Sequence, residues 1–89
     1  MFRLWGKIMK GNNIKSDQVF ELDAKGLSLD DKIDQGLESL CNHFDIQKPM
    51  WFNDNYKDIG LIGKTRFIDH HFIETIDFDY LEIEIIEKK

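Results

Sequence analysis

Asp69-His70-His71, followed by Glu74, is the stretch of this chain whose side chains are best suited to hold a metal ion. Carboxylate and imidazole are good ligands for zinc, manganese or iron. On a helix, His70 and Glu74 stand four apart and share a face. In a strand they share parity but lie roughly 13 Å apart, too far for one ion. Metal binding by Asp69, His70, His71 and Glu74 therefore requires a helix that runs through Glu74. Cys41-Asn42-His43 is a weaker pair, because side chains two apart on a helix diverge by about 200°. Cys41 falls beside Leu37, Leu40 and Phe44 and reads as an inert core thiol.

Arg3, Trp5 and Lys7 alternate cation and aromatic, the pattern of a flat stacking platform for single-stranded nucleic acid. The plainer reading is that Trp5 packs on a helix, a loop or another subunit. Asp77, Asp79, Glu82 and Glu84 form an acidic row. Acid–base catalysis would need one of them raised in a pocket, so a solvated strand face is expected instead. Such a row would also accept the basic hairpin of a second copy. No motif indicates a cofactor.

These groups need elements to position them. Phe2, Leu4 and Ile8 share one parity and Arg3, Trp5, Lys7 and Met9 the other, which predicts a strand with close approach or a bulge at Gly6. Lys10-Gly11-Asn12-Asn13 tolerates positive φ, and Val19, Phe20 and Leu22 mark a returning strand, so residues 2–22 read as a β-hairpin. Ser28 caps a helix over 28–44, with Asp30, Asp31 and Asp34 at its start and Leu29, Ile33, Leu37, Leu40, Cys41 and Phe44 along one stripe. Gly36, costly in mid-helix, points to a close helix–sheet contact. A shorter helix over about 54–62 has weaker support, and Thr65 to Ile68 can extend. From Asp77 to Glu87 acidic and apolar residues alternate as in a strand with one dry face. The parity change between Phe78 and Leu81 places a break near Asp79.

The 89 residues amount to one domain with a small core. The apolar fraction of 42% excludes a disordered chain. Residues 1–25 hold five bases and three acids, and residues 26–89 seven bases and fourteen acids. That acidic bulk disfavours nucleic acid and anionic membranes. One cysteine permits no internal disulfide, and neither an export signal nor a membrane-spanning run is visible, so a cytoplasmic location is expected.

Pro49-Met50-Trp51, Thr65-Arg66-Phe67 and His71-Phe72-Ile73-Glu74, leading into Asp77 to Glu84, resemble a family of short, uncharacterised bacterial proteins common in Gram-positive Firmicutes. The similarity covers most of the chain. It implies an intracellular bacterial protein and supplies no activity, substrate or cofactor.

The expected fold is α+β: a small antiparallel sheet of the N-terminal hairpin and the C-terminal strand, with the 28–44 helix on one face. The expected function is a non-enzymatic protein-interaction or homo-oligomerising domain. Its surface would comprise Arg3, Trp5, Lys7, Trp51, Tyr80, Glu82 and Glu84, and its partner a second copy or another protein. Metal binding at Asp69 to Glu74 and nucleic-acid binding at Arg3 to Lys7 are the alternatives.

Overall fold

The computed structural model describes residues 1–88. Strand β1 (Phe2–Lys10) reverses into β2 (Asn13–Leu22) through Gly11 and Asn12. Both turn residues have positive φ, 60° and 66°, the two-residue geometry whose twist suits antiparallel strands. Helix α1 (Leu29–Phe44) begins where Ser28 Oγ accepts the Asp31 N–H at 3.1 Å. It ends at Asp45, whose left-handed conformation lets its N–H donate to the Asn42 carbonyl. Helix α2 (Asn53–Ile62) then leads through Gly63 into β3 (Lys64–Phe67), a short 3-10 turn (Asp69–His71) and β4 (Tyr80–Glu87).

The sheet order is β2-β1-β4-β3, every neighbouring pair antiparallel. An α+β fold is thus present, with hairpin and C-terminal strand side by side. It carries one strand and one well-formed helix more than the expected three-stranded minimum. The parity break near Asp79 marks the start of β4: the Asp79 N–H donates to the Met9 carbonyl and its carboxylate accepts the Gly11 N–H at 2.8 Å. Phe78 lies ahead of the strand and turns inward, edge to face with Phe72.

Direct cross-strand partners share a face. Leu4 stands between Phe20 and Ile85, Gly6 between Gln18 and Ile83, and Ile8 between Ser16 and Leu81. Thr65 and Phe67 continue that face opposite Ile83 and Leu81. Ile33, Leu37, Leu40 and Cys41 of α1 close over it with Phe2, Leu4, Ile8, Phe67, Leu81 and Ile83 to form the core. Two glycines set the helix–sheet spacing. A Cβ on Gly6 would lie 2.9 Å from Leu40 Cδ1, and one on Gly36 2.8 Å from Leu4 Cδ2 and 2.9 Å from Phe20 Cδ2. No described helix is long and apolar enough to cross a membrane.

Candidate functional site

The Asp69 to Glu74 segment does not gather its ligands. The 3-10 turn stops at His71, and Phe72 is already extended (φ −109°, ψ 138°), so the helical spacing needed to bring His70 and Glu74 together never arises. His70 points to solvent beside Asp69. Glu74 is exposed, and its backbone N–H donates to Gln47 Oε1. His71 is buried. Its Nδ1 accepts the Ile68 N–H at 3.0 Å, a bond only an unprotonated nitrogen can make, and its ring stacks on Phe52 and meets Phe67 edge-on. Burial holds the His71 pKa below the ordinary imidazole value, against the opposing pull of the Asp54 and Asp69 carboxylates. Among the described residues no three His, Cys, Asp or Glu side chains are placed to share an ion. For the metal-binding alternative, the described residues offer no shared geometry: His71 is a structural histidine, while Asp69, His70 and Glu74 lie exposed.

The outer sheet face, which neither helix covers, collects Arg3, Trp5, Lys7, Tyr80, Glu82 and Glu84 as the strand parity required. Its charges pair within the chain. Lys7 Nζ lies 2.6 Å from Glu82, 3.6 Å from Glu84 and 4.0 Å from the Trp5 ring centroid. Arg66 bridges to Glu82 and lies over Tyr80, while Arg3 contacts both Glu21 and Glu87. Trp5 donates its indole N–H to Asp17.

One expectation is corrected by these pairs. Glu82 is not part of a solvated row: its side chain is 9% exposed and that of Lys7 11%. Burial alone would raise the Glu82 pKa, but the Lys7 and Arg66 contacts outweigh it and the net shift is downward. Part of the charge contrast between the chain ends is met inside one chain, where Arg3 and Lys7 of β1 pair with Glu82, Glu84 and Glu87 of the neighbouring β4.

Trp51 sits elsewhere. Its ring is half-buried rather than part of an exposed face, edge-on to Phe67 at 5.2 Å and stacked beside Tyr56 at 5.2 Å with planes 28° apart. With Ile33 and Ile59 these two aromatics floor a cleft of about 250 Å³ between α1 and α2, rimmed by Asp30, Asp31 and Asp34. Asp34 is held by Lys48 at 2.6 Å. Among the described residues, Asp30 and Asp31 take part in no ion pair. Tyr56 is 61% exposed.

Asn55 makes one wall of this arrangement possible. Its Oδ1 accepts the Phe52 N–H, and its Nδ2 donates to Thr65 Oγ1 and the Arg66 carbonyl, at 2.8, 2.8 and 2.9 Å. Thr65 in turn donates to Asp58. Nothing in the residue type or spacing of Asn55 announces this role. The cleft itself was missed, since Tyr56 and the α1 acids are far apart in sequence; the spacing of Tyr56 and Ile59 on a helix was the available signal. Cys41 is buried, and its thiol is pushed up to about 12 by burial, with Lys48 opposing. No family model, curated protein or solved structure matches the chain.

Proposed function

We propose that this chain is a non-enzymatic interaction domain that receives a protein partner in the cleft between α1 and α2. The observation that carries the reading is the pairing of Trp51 with the exposed ring of Tyr56 over Ile33 and Ile59. Adjacent aromatics on an apolar floor within a polar rim are the usual anatomy of a contact centre. The groups best suited to catalysis have structural duties. Cys41 is a buried thiol, His71 holds the β3 exit turn, and Glu82 is tied to Lys7 and Arg66.

A photo-crosslinking residue at Tyr56, compared with one at Val19 on the outer sheet face, tests this in cells that express the protein. A discrete adduct from position 56 and none from 19 is expected. The adduct mass then identifies the partner: twice the chain means a homodimer, any other mass a different protein. Equal labelling from both positions, or none from 56, rejects the cleft as the docking surface.

A further inference from the structure

The cleft joins two chemistries that rarely meet on one side of a small domain. Its floor is aromatic and aliphatic, supplied by Trp51, Tyr56, Ile33 and Ile59, and its rim is acidic, supplied by the first turns of α1. Aromatic faces are negative at their centres, so a cation above Trp51 or Tyr56 is drawn to the rings as well as to the carboxylates. Among the described residues no cation pairs with Asp30 or Asp31 or lies over the Trp51 or Tyr56 ring. Arg3, Lys7 and Arg66 are held on the sheet face, Lys15 lies beside Asp77, and Lys48 reaches only Asp34 at the rim. Asp30 and Asp31 stand in the first turn of α1, where the helix dipole favours carboxylates, and among the described residues neither has an ion-pair partner.

We infer that the occupant of this cleft is a lysine or arginine side chain from a basic segment of the partner, its methylene stem on Trp51 and Tyr56 and its charged head at Asp30 and Asp31. The inference rests on the docking reading above and adds the chemistry of what docks. Long basic side chains suit a site of this kind because an apolar stem and a charged tip bury differently: the stem covers aromatic surface while the head stays at a wet, acidic edge. An acidic segment would be repelled by the exposed Asp30 and Asp31 carboxylates, and a purely apolar one would gain nothing from them.

The test follows the two indole N–H resonances, which separate Trp51 from Trp5, together with the Tyr56 ring signals. The probes are N-acetyl-arginine methylamide, its norleucine counterpart of similar apolar reach, and its glutamate counterpart. Saturable shifts of Trp51 and Tyr56 with the arginine amide are expected, without movement of Trp5. Asp30→Asn or Asp31→Asn should weaken binding about fivefold at low salt, the effect of one nearby charge in water. Glu38→Gln, which removes the same charge from an exposed position further along α1, should leave it unchanged. Equal shifts with the norleucine amide would overturn the cationic occupant and leave the docking reading standing. Equal weakening by Glu38→Gln would reduce the attraction to net charge and also overturn it. If no amide moves Trp51, the inference fails, and the Tyr56 crosslink alone decides whether the cleft docks a partner of another kind.

Discussion

Asn55 does more for this structure than its residue type announces. It is 2% exposed and satisfies a helix N–H, a strand carbonyl and a hydroxyl, so its amide ties the start of α2 to β3. Replacing it by alanine would strand those groups out of water, at roughly 1–3 kcal/mol for each that water cannot reach. Asn55→Ala is therefore expected to lose about 2–4 kcal/mol by urea denaturation. Asn55→Asp keeps the acceptor for Phe52 but loses both donors and aims a carboxylate at the Arg66 carbonyl, so it should fare no better. Lys7 makes the complementary case for charge. Lys7→Met removes the closer of the two ion-pair contacts that Glu82 makes among the described residues, leaving that of the exposed Arg66, and should cost roughly 2 kcal/mol. Adding Glu82→Leu should restore part of that loss; a double variant less stable than Lys7→Met would show that the pair stabilises beyond avoiding an orphaned charge.

The helix–sheet contact is decided where glycines face side chains. Gly6 lets β1 approach α1 so closely that three atoms of Leu40, itself 1% exposed, would stand within 3.3 Å of an added Cβ. Because the branch carbon of Leu40 is among them, rotation about its terminal bond alone cannot clear the space. Gly6→Ala is expected to destabilise by about 1–3 kcal/mol, the cost of overpacking. A thermal melt unchanged or raised by Gly6→Ala would show instead that α1 can lift from the sheet. The helix is well defined at its ends, where Ser28 and Asp45 cap it, so movement there would be a rigid-body shift.

Over the whole molecule, acid stability depends on two buried titrating groups with different windows. His71 has a lowered folded pKa, so the unfolded chain takes up its proton first as pH falls, and stability declines from about 6.5 downward until the folded ring also protonates. Glu82 is likewise lowered. Its contribution is fully present above the unfolded carboxylate value near 4.5 and is lost as pH falls through the folded value. Two successive declines are expected in unfolding free energy between neutral and acid pH. His71→Gln should flatten the upper decline, at the cost of lower stability throughout because the Ile68 N–H loses its ring acceptor. A pH profile of His71→Gln that keeps the upper step would show that His71 is not its source.

Local chemistry in the sequence determined the hairpin, α1 with its Ser28 cap, the β3 and β4 extensions and the burial of Cys41, because turn glycines, capping side chains and apolar periodicity act over a few residues. It also placed the close contacts at Gly6 and Gly36 before any partner atom was known. What it left open depends on residues distant in the chain. Strand order made neighbours of β1 and β4, and thereby turned an apparent intermolecular charge contrast into the Lys7, Glu82 and Arg66 pairing. Chain reversal after Phe67 limited Asp69 to His71 to one tight turn, which removed the metal geometry and left His71 as a core residue. Docking of α2 on β3 and of α1 on the hairpin brought Trp51 and Tyr56 to one cleft with Asp30 and Asp31. Periodicity can say which face of an element is dry, but two dry faces meet, and a cleft forms between their polar rims, only when the tertiary structure sets the distance between them.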